Sequence, residues 1–205
     1  MTERLRRSAL GFSVHTGWAA VVAVAGEPRD PPSLVDRRRI ELIAGADPAG
    51  PRFVFHVARE LPIEEARRFV RESERRALAA ARLELGATLA ALASQGLRPV
   101  ACGLARRNRA TPLTLEAILA SHSLVHAAEG ALYRDALRGA AEEAGVAVAE
   151  IPPTELAARA STALGVPGRE VARVLARTGK AAGSPWAKDQ KEAYLAACVA
   201  LALQI

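Results

Sequence analysis

Aromatic residues are scarce in this chain of 205 residues. Phe, Tyr and Trp make up only 4% of it, although half of its residues are hydrophobic. Alanine supplies much of that half, and alanine has the highest intrinsic helix propensity of all residues. A core of small side chains with few rings therefore favours closely packed helices over a β-sandwich.

Cysteines and long hydrophobic segments are also few. Cys102 and Cys198 are the two cysteines, they lie in apolar runs, and they form no C-x-x-C pair. This usage argues against a disulfide framework or a cysteine-ligated metal. The longest apolar run, 193–203, is too short to cross a bilayer, and no signal-peptide pattern is present. We expect buried thiols, a buried terminal helix, and a cytoplasmic protein with no membrane partner.

The charge is positive, at +6, and arginine carries most of it. Such a balance attracts nucleic acid or anionic substrates, although a high-GC genome produces the same arginine excess. The densest basic segment is "RRNR", in which Arg106, Arg107 and Arg109 are candidates for gripping phosphates and Asn108 for a further hydrogen bond. Residues 37–39, all arginine, form a second basic run. The scattered aromatics do not indicate base stacking.

Hydrophobic periodicity and breakers predict an α/β chain with a single domain over 1–205. Strands are expected at 8–14, 18–26, 33–43, 97–105 and 146–153, with a further short strand within 52–62. Helices are expected at 62–95, 115–144, 154–165, 168–179 and 186–204, the last capped by Ser184. Short connections make the first three strands an antiparallel meander, and helical crossovers make the last two parallel. The prediction is a five-stranded mixed sheet with helices on both faces.

This order of elements, together with several weak motifs, resembles the RuvC-type Holliday-junction resolvase branch of the ribonuclease-H-like superfamily. The segments that carry the resemblance are "LGFSVHTG" (10–17), "RPVACGLARR" (98–107), "VAVAEIPPTELAARASTALG" (146–165) and "KDQKEAYLAACVALAL" (188–203). The resemblance implies the ribonuclease-H-like fold. It also implies hydrolysis of phosphodiesters by two Mg²⁺ ions, about 4 Å apart, that are held by four carboxylates.

Transferred onto this sequence, the four acidic positions of the resemblance fall on Ser13, near Gly103 at the end of "VACG", and on Asp189 and Glu192. Only the last two are acids, and Mg²⁺ requires anionic oxygen ligands. The resemblance therefore implies a degenerate catalytic site, in which Ser13, Asp189 and Glu192 are the candidate residues and the acid pair is a weak metal site. Lys188 and Lys191 flank the pair, and they are candidates for neutralising it and for contacting nucleic acid.

A second candidate metal site lies on the predicted helix 115–144. His122, His126 and Glu129 have i, i+4, i+7 spacing, which places them on one helix face where they would suit Zn²⁺ or Mn²⁺. His15 is expected to join them if the start of that helix lies over the sheet edge. A nucleophile–base pair of Ser13 and a histidine lacks a third partner and a G-x-S-x-G elbow.

These observations predict a nucleic-acid-binding domain without the two-metal nuclease activity and without a resident cofactor. Three alternatives stay open. The first is an active Mg²⁺- or Mn²⁺-dependent endonuclease with a rearranged site around Asp189 and Glu192. The second is a non-enzymatic scaffold that forms a homodimer through its alanine-rich helices. The third is half of an actin-like or sugar-kinase-like ATPase, which shares the order of elements.

Overall fold

The computed structural model describes residues 5–26, 32–43, 52–105 and 114–204. The strands are β1 (Arg6–His15), β2 (Trp18–Ala25), β3 (Ser33–Glu41), β4 (Leu97–Ala105) and β5 (Ala147–Ile151). The helices are α1 (Val54–Ala58), α2 (Ile63–Ala93), α3 (Leu115–Leu119), α4 (His122–Glu143), α5 (Leu156–Ala163), α6 (Gly168–Ala182) and α7 (Lys188–Ala202). No helix in these ranges is both long and apolar enough to cross a membrane.

The strands form one mixed sheet in the order β3-β2-β1-β4-β5. The pairs β1–β2 and β2–β3 are antiparallel, whereas β1–β4 and β4–β5 are parallel. The first hairpin turns at Gly17, whose φ of 85° lies in the left-handed region that favours glycine. The predicted meander and the parallel half of the sheet are both confirmed.

Each face of the sheet packs against its own helices, as predicted. Strand residues alternate between the faces, so Leu10 and Phe12 join one core while Ala9 joins the other. Helices α2 and α4 cover the first face. Helices α5 and α7 cover the second, and α7 crosses β1, β2 and β4.

Helix α7 lies unusually close to the sheet. A Cβ atom on Gly11 would come within 1.9 Å of the Ala193 carbonyl oxygen, and one on Gly103 within 2.2 Å of the Ala196 carbonyl oxygen. The two glycines are paired in register on β1 and β4. Glycine at both positions, opposite alanines on α7, allows the helix backbone to contact the strands directly.

The cysteines are free and buried, as the sequence predicts. Burial raises the pKa of the Cys102 thiol to about 12, and the charge of Glu142 adds to the effect. Burial likewise raises the pKa of the Cys198 thiol to about 12. Both thiols are therefore protonated and act as small hydrophobic side chains.

The strand expected within 52–62 is wrong, because this segment contains the short helix α1. Val54, Phe55 and Ala58 are buried in the core shared with α2, and their spacing suits one face of a helix. The first N–H groups of α1 donate to the carboxylate of Glu129 on α4. Because that acceptor is 75 residues away in sequence, no local pattern indicates it.

Three helix boundaries also differ from the prediction. The expected helix 115–144 is broken at Ser121, whose φ of −123° and ψ of 120° are extended, so that α4 starts anew at His122. Helix α6 continues to Ala182, beyond the expected end. Helix α7 begins at Lys188, and Ser184 does not cap it.

Candidate functional site

The start of α7 meets the end of β1 in a polar cluster, here called the acid-pair site, of Ser13, His15, Asp189 and Glu192. Ser13 and His15 alternate along β1 and so face the same side of the sheet. The Ser13 hydroxyl lies 3.4 Å from Asp189 Oδ1 and 3.3 Å from Glu192 Oε2. With one proton, it donates to one carboxylate at a time. His15 Nε2 lies 2.9 Å from Asp189 Oδ1.

Each acid of this pair already has a cationic or proton-donating partner. Asp189 accepts from the His15 ring, and the Glu192 carboxylate lies 3.7 Å from the Lys188 ammonium. Lys188 is 84% exposed, so this ion pair is worth little energetically. Lys191 is half-buried on the same helical turn. The predicted acids and Ser13 are thus adjacent, and His15 joins them instead of the α4 histidines.

Two neighbouring strands orient the His15 ring. Trp18, which is paired with His15 across the hairpin, stacks on it with ring centroids 4.2 Å apart and an angle of 6°. The Arg39 guanidinium lies over the same indole, 4.1 Å from its centroid. This stack limits rotation of the imidazole and keeps Nε2 directed at Asp189.

Gly103, the fourth position implied by the resemblance, lies beside this cluster but on the closely packed part of the sheet. It is paired with Gly11, two residues before Ser13, and the Ala196 backbone covers it. Ala196 is one turn beyond Glu192 on α7. The structure therefore places α7 backbone where the resemblance has an acidic side chain.

The α4 residues are divided between two environments. His122 and His126 are exposed, with their Nε2 atoms 3.1 Å apart. Glu129 is only 2% exposed, and it accepts from the backbone N–H groups of Val54, Phe55 and His56 at 2.8–3.1 Å. It holds α1 against α4 and is not a member of the group of side chains that could share an ion with His122 and His126.

His56 takes the third place beside His122 and His126, which sequence reasoning missed. Its Nδ1 lies 3.1 Å from Glu129 Oε1, and its ring centroid lies 4.8 Å from that of His126. One ring nitrogen from each of the three histidines lies within 4.8 Å of the others. Among the described residues, these three form the one group of three or more His, Cys, Asp or Glu side chains close enough to share an ion.

The first basic run, Arg106, Arg107, Asn108 and Arg109, lies outside the described residues. β4 ends at Ala105, which lies at the same end of the sheet as Ser13.

The second basic run has local partners. Arg37 donates to the carbonyl oxygens of residues 182, 183, 184 and 185 at 2.6–3.0 Å, so it fixes the segment that leads into α7. Arg38 pairs with Asp36, and Arg39 pairs with Glu41.

A basic ridge on α6 is a further feature that the sequence analysis did not identify. Arg169, Arg173, Arg177 and Lys180 are all exposed, and their spacing of four, four and three residues places them along one helix face. Arg173 pairs with Glu170. The signal was present in the sequence as a basic residue at each turn of a predicted helix.

Solved structures share this fold. A structure of Thermus thermophilus RuvC matches over 94% of this chain and 92% of that chain, with 17% identity and a TM-score of 0.50. A structure of Thermus thermophilus RuvC in complex with a Holliday junction substrate matches over 94% and 91%, with 14% identity and a TM-score of 0.51. The sequence matches no protein-family model, and it has no significant match among curated proteins. The chain therefore has the ribonuclease-H-like fold of RuvC.

Proposed function

We propose that this protein is a RuvC-like domain that binds nucleic acid and does not carry out two-metal hydrolysis. The observation that carries the second half of the proposal is the contact at Gly103. A side chain at this position would collide with the Ala196 backbone, at 2.2 Å from its carbonyl oxygen. The packing of α7 is thus incompatible with an acid in the place that the resemblance gives it.

The remaining donors do not fit a pair of Mg²⁺ ions. Two such ions carry four positive charges, and they prefer several anionic oxygens at near-octahedral geometry. The acid-pair site offers the carboxylates of Asp189 and Glu192, one hydroxyl and one imidazole. Asp189 already accepts a hydrogen bond from the His15 ring, and the Lys188 ammonium lies 3.7 Å from the Glu192 carboxylate. The site is therefore a closed hydrogen-bonded cluster.

The net charge and two groups of basic residues support binding of nucleic acid. The net charge is +6, and the α6 ridge presents four exposed cationic side chains on one face. The run Arg106, Arg107 and Arg109 follows β4 at the end of the sheet that carries the acid-pair site. Phosphate contacts from such side chains give affinity without sequence readout. One protein with this fold has been solved in complex with a Holliday junction substrate.

Binding is tested by fluorescence anisotropy with a labelled four-way junction and a duplex of equal length, over a series of salt concentrations. Changing Arg106, Arg107 and Arg109 together to Gln removes three phosphate contacts, which reduces the magnitude of the negative slope of log K against log salt by about 2–3. Changing Arg169, Arg173 and Arg177 to Gln has a similar effect. The matched control changes Arg75 and Arg76, which are paired with Glu72 on α2, and leaves binding unchanged. Binding that neither basic triple weakens contradicts the proposal.

Hydrolysis is tested with the same substrates in Mg²⁺ or Mn²⁺. We expect both DNAs to stay intact during prolonged incubation at saturating protein concentration. Metal-dependent cleavage that Asp189→Asn abolishes would instead establish the active endonuclease with a rearranged site.

A further inference from the structure

The three histidines His56, His122 and His126 converge at the junction of α1 and α4. The ring centroids of His122 and His126 lie 4.5 Å apart, and the His56 centroid lies 6.0 Å from His122 and 4.8 Å from His126. Imidazole nitrogens are a donor type that suits Zn²⁺. The chain has four histidines in all, so three of them meet here.

The spacing of the nitrogens is close to what one tetrahedral ion requires. Ligands at about 2.0–2.1 Å from Zn²⁺ are separated from each other by about 3.3 Å. The Nε2 atoms of His122 and His126 are 3.1 Å apart, and all three rings offer a nitrogen within 4.8 Å. Small χ rotations of the two exposed α4 side chains close the remaining gap.

The surroundings of His56 are those of a metal-ligating histidine. The buried carboxylate of Glu129 accepts from His56 Nδ1 and from the His56 backbone N–H, both at 3.1 Å. With its proton on Nδ1, the ring presents the lone pair of Nε2. A carboxylate behind a histidine in this way fixes the tautomer and the ring orientation of zinc ligands. Glu129 is itself fixed by two more N–H groups of α1.

The cluster is separate from the acid-pair site. Helix α1 follows β3 and α4 lies after β4 in the chain, so both start at the sheet end where β1 terminates. The α1 residues Val54 and Phe55 belong to the core shared with α2, whereas α7 covers the other face. The two sites therefore share one end of the sheet and lie on opposite faces.

We propose that His56, His122 and His126 bind one Zn²⁺ ion, which links α1 to α4 and keeps one coordination position for water or an anionic oxygen. Zinc would tie the five-residue helix α1, which is too short to be stable alone, to the long helix α4. The buried thiols Cys102 and Cys198 do not compete for the ion, because both are protonated. The proposal is independent of nucleic-acid binding.

Zinc titration of the full chain, without an affinity tag and after removal of metals by a chelator, tests the site. Competition with a chromophoric chelator gives the affinity, and we expect one Zn²⁺ per chain. Co²⁺ in place of Zn²⁺ gives the intense visible absorption of a four- or five-coordinate ion. His122→Gln and His126→Gln, both at exposed positions, lower the zinc affinity by more than about 100-fold and abolish that spectrum, because each removes a ligand.

His15→Gln is the matched control, because it removes the one imidazole that lies at the acid-pair site. It retains the stoichiometry and the zinc affinity of the wild type. Circular dichroism of each variant confirms that the fold is kept. The proposal is overturned if the wild type takes up no stoichiometric zinc, if the α4 variants bind it as tightly as the wild type, or if His15→Gln removes it.

Discussion

The acid-pair site and the histidine cluster are built on the same plan, but they differ in what surrounds the ligand atoms. In each, a helix presents two polar side chains about one turn apart, and a histidine from another element approaches them. In the acid-pair site, Ser13, His15 and Lys188 direct protons at the carboxylates. In the histidine cluster, the Glu129 carboxylate accepts a hydrogen bond from His56 Nδ1, and the Nε2 atoms of His122 and His126 lie 3.1 Å apart.

Under the two proposals above, residue type alone does not make a metal site. Carboxylates with compensating donors form a closed network, whereas imidazoles held by a buried carboxylate keep free lone pairs. The packing around each site determines whether its ligand atoms keep free lone pairs. On one face of the sheet, glycines allow the backbone of α7 to contact the strands directly. On the other face, Glu129 holds α1 in place.

The largest effect is expected at Gly103, because it tests whether packing closes the acid-pair site. In Gly103→Ala the new Cβ lies 2.2 Å from a backbone oxygen, so α7 must shift, and the free energy of unfolding falls by about 3 kcal/mol or more. Urea unfolding measures the change. Gly86→Ala, within α2 where nothing lies within 4 Å, instead stabilises by about 1 kcal/mol through helix propensity. If Gly103→Ala is as stable as the wild type, the packing of α7 does not exclude an acidic side chain at this position.

A smaller effect is expected for Glu129→Gln, which tests the role of the buried carboxylate in the histidine cluster. The amide side chain of glutamine has nearly the same volume as the carboxylate. It offers one acceptor oxygen in place of the two that accept hydrogen bonds in the wild type, and it carries no negative charge. We expect the free energy of unfolding to fall by about 2–3 kcal/mol and the zinc affinity to fall about 10–100-fold. Glu143→Gln, at an exposed ion pair with Arg82, serves as the control and leaves both quantities unchanged. A variant that unfolds less easily than the wild type would contradict the role of Glu129.

The smallest effect is expected for Ser13→Asp, which restores one acid of the resemblance. A third carboxylate beside Asp189 and Glu192 lowers the stability by about 1–2 kcal/mol through charge repulsion. Mn²⁺ recovers it, since the ion neutralises the repelling charges. Thermal unfolding with and without Mn²⁺ measures the recovery. Ser13→Asn, similar in size but uncharged, shows no response to Mn²⁺. A wild type that Mn²⁺ stabilises as much as Ser13→Asp would show that the acid pair already binds the ion.

The strand directions and the presence of helices on both faces of the sheet were predictable because they follow from local patterns. Gly17 marks a tight turn, an apolar run marks β1, and helical crossovers impose parallel pairing of β4 and β5. The adjacency of Ser13, Asp189 and Glu192 came from the resemblance. It follows in the structure from α7 crossing the end of β1.

Contacts between residues far apart in the sequence were not predictable. Helix α1 depends on an acceptor about 75 residues away, and the same contact brings His56 into the cluster. The clamp of Arg37 on residues 182–185 spans about 146 residues. A buried carboxylate such as Glu129 has the sequence pattern of an ordinary polar helix residue, so only its burial reveals its partners.

The glycine contacts under α7 have a mechanical consequence. Where backbone rests on backbone, a helix cannot roll or slide without colliding with the strand beneath it. The position of the helix that carries Asp189 and Glu192 is therefore fixed by contacts between main chains. A ligand that approaches the first turn of α7 meets a surface that adapts through side-chain rotation alone.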